Sequence, residues 1–180
     1  MKILNIAAVG LVVGLLQACS GTEAPEAQPQ EQEVANDNPG QEAPDRPRAQ
    51  VIQVPDDDQT MEEAMKLGQK TLPAFAERLA NPASDEDSFS IKFNLDPSGD
   101  TEFIWASNLK KTATGFTGVL DNEPLSPKFE AGQSVEIPEG DVIDWAYTKG
   151  GVMQGHFTTR VLINDMPNEE GDQYRQMFGW

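Results

Sequence analysis

Every Trp, Tyr and Phe of this 180-residue chain lies beyond position 70. The first part of the chain lacks the side chains that bury the most area each, so a packed core has to come from the C-terminal part alone. About 120 residues are left for it, enough for one modest hydrophobic core.

The stretch before that core divides again. Residues 1–18 are apolar apart from Lys2, Asn5 and Gln17. Lys2 precedes an apolar run from Ile3 to Leu16, which is short for a mature membrane span and fits the apolar region of an export signal. Leu16-Gln17-Ala18-Cys19 follows at once and resembles the lipobox of bacterial lipoproteins, although Gln17 departs from the usual small residue. The resemblance implies cleavage before Cys19, two ester-linked chains and an amide-linked third on that residue, and anchorage in a lipid bilayer. Several chains anchor stably where one is marginal. Ser20, in place of Asp, favours the outer membrane facing the periplasm over the inner membrane. Cys19 is the only cysteine, so the chain forms no internal disulfide.

Residues 19–58 read as a disordered acidic tether rich in Pro, Gln and Glu. Six prolines from Pro25 to Pro55 interrupt regular structure, and little apolar surface offsets the entropy of ordering. Val51-Ile52-Gln53-Val54 is the exception, either an edge strand or a lead-in. The net charge of −17 is spread over tether and domain: ten acids face two bases in residues 20–60, and twenty face ten beyond. Such a surface repels phosphate backbones and anionic headgroups, which excludes nucleic acid as a partner.

The domain, residues 59–180, reads as α+β: an N-terminal helical unit followed by a mostly antiparallel sheet. Thr60-Met61-Glu62-Glu63 fits a capping box. Helical spacing continues to Leu79, with Pro73 predicting two pieces, 60–70 and 72–80, the second capped by Thr71. Strands are predicted at Phe89–Leu95, Glu102–Ala106, Gly115–Leu120, Gln133–Ile137, Val142–Thr148 and Met153–Ile163. A helical turn is predicted at Asp172–Phe178.

Motifs for chemistry are scarce. His156 is the lone histidine, so no His/Cys zinc site can be built. Asp56-Asp57-Asp58 lacks the glycine and distant Glu of a calcium loop. No phosphate loop and no Ser elbow occurs. No cofactor, metal or catalytic residue is assigned. The densest group of unusual residues is Glu102, Trp105, Asp144, Trp145, His156, Thr158 and Arg160. Alternation on strands puts His156, Thr158 and Arg160 on one face and predicts an Asp144–Arg160 pair across the sheet. The group reads either as core and sheet support or as a binding surface for a polar ligand or peptide.

Taken in order, several segments resemble the bacterial DUF2314 family, also called YegJ-like. They are Thr71-Leu72-Pro73-Ala74-Phe75, Phe89-Ser90-Ile91-Lys92, Glu102-Phe103-Ile104-Trp105, Phe116 to Pro124, Gly132-Gln133-Ser134-Val135, Ile143-Asp144-Trp145 and Gly155 to Arg160. The resemblance spans about residues 61–163 and implies no reaction. The expected function is a membrane-anchored envelope lipoprotein with a non-enzymatic binding or accessory domain and an envelope protein or peptide as partner. Alternatives are an immunity-type or stress-accessory protein neutralising a basic partner, and a hydrolase-like enzyme using acid–base residues near His156.

Overall fold

A computed structural model of the chain describes residues 2–6, 50–55, 57–97 and 101–180. The lipobox-like Leu16 to Cys19, Ser20 and most of the stretch read as a tether lie outside the described residues. Lys2–Ile6, the head of the stretch read as an export signal, is strand β1; Gln50–Val54 is β2. β1 pairs antiparallel with β2 and parallel with a later strand. Cleavage before Cys19, which the lipobox resemblance implies, would remove β1.

Helix α1 runs from Gln59 to Ala80 without a break. Its cap is Asp58, whose carboxylate accepts the Met61 N–H at 3.0 Å. The expected capping box at Thr60 and the division at Pro73 are both corrected. Pro73 leaves the Gln69 carbonyl without its helical donor, but both residues are exposed, where water can serve that oxygen. Leu72 and Phe75, on the buried face, hold the helix together across the proline.

The sheet comprises β3 (Glu86–Asn94), β4 (Glu102–Lys111), β5 (Gly115–Leu120), β6 (Ser134–Pro138), β7 (Val142–Lys149) and β8 (Val152–Gly155). These six pair antiparallel in the order β6-β5-β4-β3-β7-β8, with β1 beside the start of β4. Register shifts at Asp87/Ser90 and Ser107/Lys110 accompany left-handed residues at Ser88 and Asn108, with φ of 55° and 52°. Such bulges increase twist. One large cluster, including Leu72, Phe75, Ile91, Phe93, Ile104, Phe116, Ile137 and Trp145, forms the main core. A second joins Met61 and Met65 to Phe103, Ile143, Val161 and Leu162.

The predicted sixth strand is the main correction. Only Val152–Gly155 is strand; Phe157–Asp165 is helix α2, and Asn168–Phe178 is a full helix, α3. Thr158, Thr159, Val161 and Ile163 favour strands by their β-branched side chains. Helix wins because Gly155 and His156 both take positive φ and reverse the chain. A side chain on Gly155 would strike the Trp145 carbonyl and ring.

Candidate functional site

Three side chains from neighbouring strands make a row across the sheet. Lys92 of β3 stands opposite Trp105 of β4 on one side and Asp144 of β7 on the other. Directly opposed residues share a face, and none of the three is more than 1% exposed.

Asp144 uses both oxygens. Oδ1 accepts the N–H of Trp145 at 2.8 Å and of Phe157 at 3.2 Å; Oδ2 accepts the Thr158 N–H at 2.8 Å and hydroxyl at 2.7 Å. Phe157 and Thr158 open α2, whose N-cap residue, His156, offers no side-chain cap bond. Asp144 is therefore the cap of α2, supplied from another strand, with its negative charge at the helix's positive end. Burial raises its pKa above the usual carboxylate range, while the Thr158 bonds and Lys92 act the other way.

The Lys92 Nζ lies 5.5 Å from the Trp105 ring and has no hydrogen-bond partner among the described residues; neither has Trp105 Nε1. Burial lowers the amine to about 7 against the opposing pull of Asp144. The His156 ring sits 4.5 Å from that of Trp105, and its Nδ1 contacts the Thr159 hydroxyl at 2.9 Å. Burial, then the charges of Lys92 and Arg160, lowers His156 to about 3, so it stays neutral.

Arg160 does not pair with Asp144. Carried on α2, it donates to the carbonyls of Gly155 and Met153 and stacks its guanidinium 3.5 Å from the Trp180 ring. Trp180 in turn donates its indole N–H to Met153 at 2.8 Å. Trp145 lies on the opposite sheet face from Asp144, against Phe75, Tyr147 and Phe157, with its indole N–H on Thr71 at 3.0 Å. Glu102 stands apart from this cluster and accepts the N–H groups of Leu125 and Ser126.

Six of the seven candidate residues are thus buried, and only Arg160 is half-buried. The fold joins Trp105, Asp144, His156 and Thr158 in one interior network and leaves Trp145 and Glu102 outside it. A lysine lowered to about 7 and a neutral histidine are chemically capable of proton transfer, but here they sit in the interior. Lys92 escaped sequence reading because it alternates with Ile91 and Phe93 as a solvent-facing residue would. Asp144's role was equally hidden, since the helix it caps starts more than ten residues later. Among the described residues no group of three or more His, Cys, Asp or Glu side chains could hold a metal ion.

Open space lies at the other end of the sheet, beside β6. One groove of about 350 Å³ is lined by Phe93, Leu95, Phe129 and Gln133 to Glu136. A smaller one, of about 140 Å³, is lined by Thr112, Thr114, Phe116 and Glu136 to Pro138.

A family model described as an uncharacterised protein conserved in bacteria, DUF2314, matches residues 58–180. The chain belongs to the DUF2314 family. The match begins at the cap of α1 and extends past the sequence resemblance to take in α3 and Trp180. An uncharacterised protein YegJ of Escherichia coli K12 is 32% identical over 120 residues, covering 66% of this chain and 77% of that protein. A putative ankyrin repeat protein of Neisseria meningitidis serogroup B is 30% identical over 79 residues, 43% of this chain and 31% of that one. No solved structure matches.

Proposed function

We propose that this chain is a lipid-anchored protein of the bacterial cell envelope whose DUF2314 domain is a non-enzymatic binding module. The lipobox-like Leu16 to Cys19 supports the anchor, and Ser20 favours the outer membrane. The binding reading rests on one observation, the open edge of β6. Leu120 donates to Gln133 and Glu139 donates to Thr114 at the two ends of the β5–β6 pair. Antiparallel bonding alternates, so Val135 and Ile137 bond to β5 while the N–H and C=O of Ser134 and Glu136 point away. No described residue pairs with them, and the larger groove runs alongside. The residues capable of acid–base chemistry, by contrast, are taken up in capping and packing.

Two measurements test this. Labelled palmitate is expected to enter the wild-type chain and not Cys19→Ala; incorporation in both, or in neither, removes the anchor. A photo-crosslinking residue at Ser134 in intact cells is expected to give a discrete adduct that the same residue at Gln154 of β8 does not. Equal products at both positions, or none, remove the binding reading.

A further inference from the structure

We infer that the β6 edge takes an extended, basic polypeptide segment by strand addition; this rests on the binding reading above and names the partner's chemistry. An unpartnered edge strand recruits a strand through main-chain bonds, and alternate side-chain pockets select the sequence. β6 is built for a short one. It offers the N–H and C=O groups of Ser134 and Glu136, and Pro138, which has no N–H, ends the row. Val135 and Ile137 face the core side, where Ile137 lies opposite Phe116 of β5. A strand laid beside β6 would direct every second side chain toward the apolar part of the groove, formed by Phe93, Leu95, Phe129 and Val135. Its other side chains would lie beside Ser134 and Glu136.

Charge decides what those other side chains are. Glu136 and Glu130 are exposed, and neither has an ion-pair partner among the described residues. Two lysines of the neighbouring segments are engaged: Lys128 with Asp96 at 2.7 Å and Lys111 with Glu139 at 2.6 Å. Lys110 lies in the same cross-strand row as Glu136 but two strands away, roughly 10 Å at ordinary strand spacing. The edge therefore presents uncompensated negative charge, which attracts cations and rejects acidic segments. The same charge argues against two other occupants. An antiparallel copy of β6 centred on itself would set Glu136 against Glu136, a destabilising pair. The chain's own residues 20–60, with ten acids to two bases, would be repelled.

The probe is a blocked peptide of alternating Lys and Val, about seven residues long, titrated against the full acylated chain in detergent. Three controls accompany it: the peptide with Glu for Lys, the peptide N-methylated on alternate amides, and the Glu136→Lys protein. We expect each change to weaken binding about tenfold or more. Equal affinity of the N-methylated peptide overturns strand addition. Equal affinity of the Glu peptide, or of Glu136→Lys, overturns the basic specificity, and no binding at millimolar peptide overturns both. An adduct at Ser134 in cells without Lys/Val binding leaves the binding reading standing and sinks only this one.

Discussion

Two edges of the sheet, at β8 and at β6, meet opposite fates. At β8 the chain covers its own edge: Arg160 and the Trp180 indole engage the Met153 carbonyl, and Arg160 also takes that of Gly155. At β6 nothing described does so. Natural proteins shield edges with short strands, prolines, charges or covering elements. Both strands are short; β8 adds a covering element, while β6 carries Pro138 and Glu136. The first device closes an edge to all comers. The second leaves main-chain groups available and filters what reaches them by charge, so a protein carrying both has a closed side and a selective one.

The closed side depends most on Asp144, because it caps the helix that carries Arg160. Asp144→Ala would leave three N–H groups and a hydroxyl without their buried acceptor. The expected loss is about 3 kcal/mol or more, read by urea unfolding. Amide exchange in Val152–Gly155 should quicken while that of Gly115–Leu120 changes little. Asp144→Asn keeps one acceptor oxygen and should cost less. If both variants unfold like wild type, α2 is held by something else and the closed edge needs another explanation.

The same side buries the ionisable groups, so it should govern pH dependence. Lys92 titrates at about 7 in the folded chain against an ordinary 10.5. Between those values the unfolded chain binds more protons, and stability rises as pH rises through the window. The expected gain is on the order of 2–4 kcal/mol from pH 7 to 10.5 in wild type, and it should vanish in Lys92→Met, which should also be the more stable protein at pH 7. His156, lowered to about 3 from 6.5, works at the acid end: stability falls as pH drops from 6.5 toward 3. Unfolding midpoints across pH for the two proteins check both statements. A wild-type curve as flat above pH 7 as that of Lys92→Met would place the amine in solvent.

Sequence reading reached β6 better than β8, for physical reasons. The period-two patterns of β3 to β7 are local, and turn residues bound them, so the α+β class and five strands were legible. What closes β8 is long-range. A strand residue caps a helix, and a C-terminal indole reaches back to Met153; neither leaves a local pattern. Thr158 to Ile163 has strand-like composition, and tertiary context overrides it. The candidate residues Trp105, Asp144, His156 and Thr158 were found together, but their gathering is interior. The open groove was missed because Phe93, Leu95, Phe129 and Val135 come from separate segments and each reads as core.

Trp180 offers a milder way to open the closed edge. Trp180→Ala removes one hydrogen bond, the Arg160 stacking and the contact with Phe178. We expect about 2 kcal/mol of lost stability and, in sedimentation at high concentration, self-association through β8 that wild type does not show. A monomeric variant with unchanged exchange at Met153 would mean that Arg160 covers the edge alone.

The smallest effect on stability should come from the open side. Glu136 is exposed, unpaired among the described residues, and faces Thr117 across β5. Surface substitutions without such ties move stability by about 0.5 kcal/mol or less, so Glu136→Lys should unfold within that margin of wild type. Its effect should appear in selection instead, with the Glu/Val peptide now preferred over the Lys/Val one. A loss above about 1 kcal/mol would show that Glu136 supports the fold, as Asp144 does on the other side. The contrast between a closed edge and a selective one would then disappear, because both edges would be held shut by buried or paired charge.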